Sequence, residues 1–122
     1  MKAAVLHPPD HTLRIEDAVP PTPGPGQVLL KVRACGVCRT DLHIVDGELP
    51  AIRSSLIPGH QIVGDILEGA TAEMPVGSRV GVSWVGGVDG TCPYCELGAE
   101  NLCDAPTFTG YNTDGGYAEC AV

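Results

Sequence analysis

Proline and glycine break this chain so often that no long helix has room to form. Sixteen Gly and eleven Pro stand among 122 residues, beside one Trp, one Phe and three Tyr. That composition favours many short strands joined by turns. The densest punctuation, Pro20-Pro21-Thr22-Pro23-Gly24-Pro25-Gly26, has too few N–H groups to serve a sheet ladder and reads as a stiff surface connection. It is too short to link two domains. Residues 1–122 are therefore expected to make one domain, an all-β barrel, burying on the order of two-thirds of the surface its unfolded chain exposes.

Local patterns supply the parts. Residues 1–6 and 13–16 read as two strands around a turn holding Pro8, Pro9 and Asp10. From Val28 the chain alternates, with Val28, Leu30, Val32 and Ala34 on one face and Leu29, Lys31, Arg33 and Cys35 on the other, a half-buried strand that delivers the chain to Cys38. Residues 40–45 suit one or two helical turns ended by Asp46-Gly47, and residues 50–58 an irregular loop. Residues 61–68 and 79–85 are β-rich. Residues 86–106 form a loop dominated by Gly, Cys and Asp, and residues 117–122 read as a last strand after the Asp114-Gly115-Gly116 turn.

The formal charge of −8, with seven basic residues, disfavours nucleic acid and anionic membranes as partners. Proline breaks the N-terminus before a signal-peptide core can form, and no apolar run approaches a membrane span, so a cytoplasmic protein is expected. In that compartment six cysteines point to metal ligation rather than to a disulfide framework.

Two groups of residues have the chemistry of metal ligands. In the loop, Cys92-Pro93-Tyr94-Cys95 places two thiolates on one side of a tight bend, and Cys103 follows. Asp89 stands one Cys-x2-Cys step earlier, and its carboxylate suits the open fourth corner of a tetrahedral zinc site. Such a metal would be structural, holding a loop of little apolar content; the alternative is three buried thiols and a solvated Asp. The second group is Cys35-Gly36-Val37-Cys38-Arg39-Thr40-Asp41-Leu42-His43 with Gly59-His60-Gln61. Cys38 and His60 offer a thiolate and an imidazole, but only tertiary folding brings them together. Cys35 and Cys38 also share the spacing of thiol redox proteins, without the βαβ setting those use.

Taken together, these stretches resemble the N-terminal catalytic domain of the zinc-dependent, medium-chain alcohol dehydrogenases, with a fold similar to the GroES co-chaperonin. The likeness runs through Lys2-Ala3-Ala4-Val5, Cys35 to His43, Gly59-His60-Gln61-Ile62-Val63-Gly64, Gly77-Ser78-Arg79-Val80-Gly81-Val82, the Cys92/Cys95/Cys103 loop and Gly115-Gly116-Tyr117-Ala118-Glu119. It implies a mainly β, GroES-like, partly open barrel with short helical turns and a long zinc-binding loop. It implies that Cys38 and His60 are ligands of a catalytic zinc and that Asp89, Cys92, Cys95 and Cys103 hold a structural one. Asp41 would orient the His60 ring, while Thr40 and His43 would relay the alcohol's proton, His43 being suited to neutral pH. Zinc makes a bound hydroxyl acidic enough to ionise near neutral pH. Arg39 would face the cofactor's pyrophosphate or be an ordinary surface Arg. Leu49 and Trp84 fall near substrate-lining positions, and Trp84 reads equally as core packing.

The sequence departs from the family in three places. Gln61 stands where the family usually has Glu, so no carboxylate is there to assist ligand exchange. Asp89 replaces the first of four structural-site cysteines. No third catalytic ligand and no Gly-x-Gly-x-x-Gly nucleotide turn occurs. The resemblance thus implies a C-terminally truncated part of a homo-oligomeric enzyme, missing its nucleotide-binding domain. That parent would use NAD or NADP to oxidise a small alcohol to an aldehyde or ketone, and this part would be inactive alone. The alternatives are a non-catalytic zinc-binding structural or co-chaperonin-like module, and a thiol-disulfide redox protein.

Overall fold

The structure is a computed structural model that describes all 122 residues. Eight strands fall into three small sheets. Strands β1 (Lys2–Leu6) and β2 (Leu13–Asp17) form an antiparallel hairpin around the turn with Pro8 and Pro9. The central sheet has the order β5-β4-β3-β8, built from β3 (Leu29–Gly36), β4 (Gln61–Glu68), β5 (Arg79–Val82) and β8 (Cys120–Ala121), all antiparallel. Strands β6 (Val85–Gly87) and β7 (Thr107–Phe108) make a third pair. Single bridges from Ala3 to Ala118 and from Leu6 to Leu56 tie the hairpin to the rest. The result is a mainly β, partly open GroES-like barrel in which the central sheet does not close. No helix is long and apolar enough to cross a membrane.

The core lies in two clusters, Ala3/Val5/Ile57 and Leu6/Ile44/Leu56, with Leu30, Ile62 and Ile66 fully buried on the central sheet. Strand β4 follows simple alternation, burying Ile62, Gly64 and Ile66 and exposing Gln61, Val63 and Leu67. Strand β3 does not. Its register to β4 shifts between Val32 and Ala34, so Ala34 turns outward and Cys35 takes the inward place that uninterrupted alternation assigned to Ala34. A bulge adds a residue to one strand and re-aims the side chains beyond it. It ends four residues before Cys38 and so sets how the chain enters the site.

Two further boundaries differ from the pattern reading. The run 79–85 is cut at Ser83-Trp84, which lie between β5 and β6. The loop 86–106 carries structure of its own: a helical turn α2 (Pro93–Glu96) with Pro at its first position, then a 3-10 turn over Glu100–Leu102. The last strand is shorter than residues 117–122, because Tyr117 pairs across to Pro58 and Ala4 instead of extending β8.

On the outer face of the central sheet, Asp65 accepts hydrogen bonds from Arg33 Nε at 2.6 Å and Arg79 Nε at 2.9 Å. Hydrogen bonds first from Arg79 and then from Arg33 hold its carboxyl below the usual 3.8. A lowered folded pKa contributes stability that is present above the unfolded value and lost as pH falls through the folded one. Asp65→Asn should therefore lower the urea midpoint by a constant amount above pH 5, with the gap to wild type closing below about pH 4. A gap that persists undiminished at acid pH would refute this origin.

Candidate metal centres

The first site is assembled from the end of β3, the short helix α1 (Arg39–Val45) and the approach to β4. Cys38 caps α1: its backbone N–H donates to Asp41 Oδ2 at 2.9 Å, and its side chain faces the backbone of Asp41 in return. This reciprocal box fixes the first helical turn. His60 arrives on Pro58-Gly59, all three residues being buried. Gly59 has φ +96°, and a Cβ there would lie 2.6 Å from the Tyr117 ring and 2.8 Å from Cys35 Sγ, so glycine alone fits.

That turn brings His60 Nε2 to 3.1 Å from Cys38 Sγ. The other ring nitrogen, Nδ1, lies 3.4 Å from Asp41 Oδ1. Asp41 is 2% exposed and His60 5%, and neither Asp41 Oδ1 nor His60 Nδ1 has a well-formed hydrogen bond. A buried imidazole backed by a carboxylate on one nitrogen, with the other aimed at a thiol, is a ligand pair with its orienting group in place. Cys38, Asp41 and His60 fit a metal by their distances. Tetrahedral zinc, at about 2.3 Å from sulfur and about 2.0–2.1 Å from nitrogen, sets such donors about 3.6 Å apart. The observed gap is shorter by roughly half an ångström, a small side-chain adjustment.

Around this pair, Thr40 is half-buried and Arg39 exposed at the start of α1. His43 lies one helical turn beyond Thr40, and its Nδ1 pairs with Glu48. Gln61 is exposed, its amide lying across Gly36. Trp84 serves both readings. It packs on the Leu6/Ile44/Leu56 cluster, and it meets His60 edge-on with ring centroids 4.8 Å apart. Phe108 stacks on Trp84 at 4.6 Å and Tyr111 at 6.2 Å, making an aromatic wall beside the imidazole. Leu49 lines a small, mainly apolar pocket with Ile44, Leu56 and Tyr111.

Glu48, Phe108 and Tyr111 are the neighbours that pattern reading did not pick out. Glu48 is only five residues from His43, a spacing to inspect beyond any helix-ending Gly. For the aromatics the signal was scarcity: the chain has five such side chains, and three of them gather here.

The second site is the loop. One ligand atom from each of Asp89, Cys92, Cys95 and Cys103 lies within 4.8 Å of the others. Asp89 Oδ1 accepts from the N–H groups of Thr91 at 2.8 Å and Cys92 at 2.9 Å, which leaves its second oxygen free to face the thiols. Those bonds, first from Cys92 and then Thr91, hold its carboxyl down at about 2. Cys103 Sγ accepts weak bonds from the N–H groups of Asp89 and Ala105 at 3.4 Å. The thiols diverge: backbone donors push Cys92 down, while burial pushes Cys95 up. With no cation, a proton must stay among four potential anions; a dication replaces it. Three sulfurs and one carboxylate oxygen suit zinc. All six cysteines are free thiols.

An open antiparallel barrel carrying a thiol–imidazole pair and a separate sulfur-rich loop brings together two groups of residues with the chemistry of metal ligands. Residues 24–122 match the alcohol dehydrogenase GroES-like domain, and the chain belongs to that family. It is 46% identical over 123 residues to an alcohol dehydrogenase of Moraxella sp. (strain TAE123), a match covering 98% of this chain and 36% of that protein. Among solved structures, a cobalt- and zinc-bound thermostable alcohol dehydrogenase from Pyrobaculum aerophilum superposes with a TM-score of 0.89 at 34% identity, over 99% of this chain and 38% of the other. Acetophenone reductase from Geotrichum candidum, in complex with NAD, superposes with a TM-score of 0.83 at 34% identity, over 98% and 36%. The chain thus spans about a third of the length of the relatives it matches.

Proposed function

We propose that this chain is the zinc- and substrate-binding part of an NAD(P)-dependent dehydrogenase that oxidises a small alcohol to an aldehyde or ketone by hydride transfer. The observation that carries the reading is the convergence of Cys38 Sγ and His60 Nε2 at 3.1 Å, with Asp41 behind the opposite ring nitrogen. Zinc there would supply a Lewis acid that makes the substrate hydroxyl acidic.

The chain's own groups do the rest. Cys38 and His60 hold the metal, and Asp41 fixes the His60 ring. Thr40 Oγ1 takes the proton from the substrate hydroxyl. His43, paired with Glu48, would be the exit for that proton toward solvent. Trp84 and Leu49 are apolar walls, and Arg39 is placed on the exposed side for a cofactor phosphate. Gln61 leaves ligand exchange without a nearby carboxylate. Asp89, Cys92, Cys95 and Cys103 hold a second, structural zinc. The third catalytic ligand and the nucleotide-binding domain would come from residues outside 1–122, in a homo-oligomeric parent. Against a thiol-disulfide role stands Cys35, whose thiol burial pushes up, where an attacking thiol needs a lowered pKa.

The test uses the protein as its gene encodes it, zinc-loaded, with NAD+ or NADP+ and a panel of primary and secondary alcohols. Cofactor reduction is expected, with Thr40→Val lowering kcat by about 10²–10⁴-fold, as loss of a proton-transfer group does. Residues 1–122 alone should show no turnover. Failure to oxidise any alcohol would sink the activity; turnover by residues 1–122 alone would sink the requirement for a second domain.

A further inference from the structure

Three buried polar atoms of this structure lack a well-formed hydrogen bond: Asp41 Oδ1, His60 Nδ1 and Tyr117 Oη. The first two belong to the ligand pair already described. The third belongs to a residue with no part in the mechanism above. Nothing local requires a hydroxyl at position 117, because the ring alone fills its place. Tyr117 packs on the Ala3/Val5/Ile57 cluster and lies flat against Gly59. Its backbone is pinned on both sides, Tyr117 N–H donating to Pro58 C=O at 3.0 Å and Ala4 N–H to Tyr117 C=O at 2.7 Å. An aromatic ring held this firmly aims its hydroxyl with little freedom. An orphaned buried hydroxyl costs about 1–3 kcal/mol, so it is expected to have a partner.

Asp41 Oδ1 is likewise buried and unpartnered, and the Tyr117 ring lies against Gly59, the residue before His60. Burial first, and then the charge of Asp41, push the Tyr117 hydroxyl's pKa up, with Cys35 and Cys38 adding to the effect. A phenol O–H donates and a carboxylate oxygen accepts, so the direction of a contact between the two is fixed. Asp41 already accepts from the Cys38 backbone through Oδ2, and its Oδ1 lies 3.4 Å from His60 Nδ1. Oδ1 has lone pairs for two donors. The approach of His60 Nδ1 to Oδ1 is looser than a finished hydrogen bond, as such contacts often are before a site is loaded.

We propose that Tyr117 is a positioning residue of the metal site: its hydroxyl donates to Asp41 Oδ1 and locks the carboxylate that orients His60. The chain of contacts runs Tyr117–Asp41–His60, from the last part of the chain to the ligand. Asp41 also reaches the second ligand through Cys38 N–H, so one phenol steadies both. This rests on the reading of Cys38 and His60 as metal ligands.

The test measures zinc retention against a competing chelator, in the protein as its gene encodes it, for wild type, Cys38→Ser, Tyr117→Phe, Asp41→Asn and the Tyr117→Phe/Asp41→Asn pair. Phe keeps the packing and removes only the hydroxyl. Partners behind a ligand change metal affinity by roughly 10–100-fold. Tyr117→Phe is expected to release the zinc that Cys38→Ser loses about 10-fold more readily, with the loop zinc unchanged and the midpoint unchanged once that first zinc has been stripped from both proteins. In the Asp41→Asn background the same change should add less than about twofold, because its route through the carboxylate is gone. Equal retention in wild type and Tyr117→Phe would overturn the proposal. So would a full additional loss in the Asp41→Asn background, or a parallel loss of both zincs with a lower midpoint, which is what a packing role alone gives. If Cys38→Ser holds as much zinc as wild type, the ligand reading itself fails and takes this one with it.

Discussion

Replacing Cys38 by Ser, or His60 by Ala, is expected to remove one zinc and leave the loop zinc in place. Each deletes half of the only mixed thiolate–imidazole pair, whose atoms are 3.1 Å apart. In the complete enzyme, losing a Lewis acid that supplies several kcal/mol, at 1.36 kcal/mol per tenfold, costs roughly a thousandfold or more in kcat. Metal analysis and steady-state rates on the same preparations check it. Unchanged zinc content in both variants would show that the pair does not bind metal. The large effect follows from an open site: with few protein ligands there is no spare donor to take over.

The second large effect belongs to the loop and is on stability rather than rate. Cys95→Ser should empty that site and lower the thermal midpoint by about 10–20 °C. A ligand present at 100 times its dissociation constant stabilises by about 2.7 kcal/mol, and in a domain this small each kcal/mol moves the midpoint by about 4–8 °C. Calorimetry with and without a chelator measures it, and the chelator should do to wild type what the substitution does. The loop has little else to hold it: α2 has no buried residue, and Leu97 and Leu102 are exposed. A midpoint indifferent to both would mean that the loop folds on its hydrogen bonds alone.

Legibility in the sequence followed locality. The strand of residues 61–68 could be read to the residue because nothing interrupts its alternation, and α1 because its Asp-Gly end is a local signal. The bulge in β3 had no signature: Arg33 and Ala34 look like any two steps of an alternating strand, and the shift exists only in the pairing with β4. For the loop, Cys-x2-Cys spacing placed the thiols, whereas the helical turn between them comes from Pro at its first position and from closure around the site. Cys38 and His60 were legible only as residue types. Their meeting depends on the turn at Gly59 and on Tyr117, which are contacts between distant parts of the chain. The aromatic wall was invisible for the same reason, since Trp84 meets Phe108 and Tyr111 across an intervening loop of more than twenty residues.

Gly59 bears also on when the site can come into being. Its backbone is crossed by Gly110 and Gly115 so closely that a Cβ on Gly115 would lie 2.0 Å from Gly59 C=O. Ile57 N–H is bonded to Asp114, 57 residues later. As the chain emerges from the ribosome, the ligands Cys38 and His60 are synthesised early, yet the segment that seats His60 is nearly the last of these 122 residues to appear. During that interval Cys38 and His60 exist without their mutual geometry. A metal held by Cys38 and His60 would thus be captured late, whereas Asp89, Cys92, Cys95 and Cys103, only 14 residues from first to last, could close around an ion sooner.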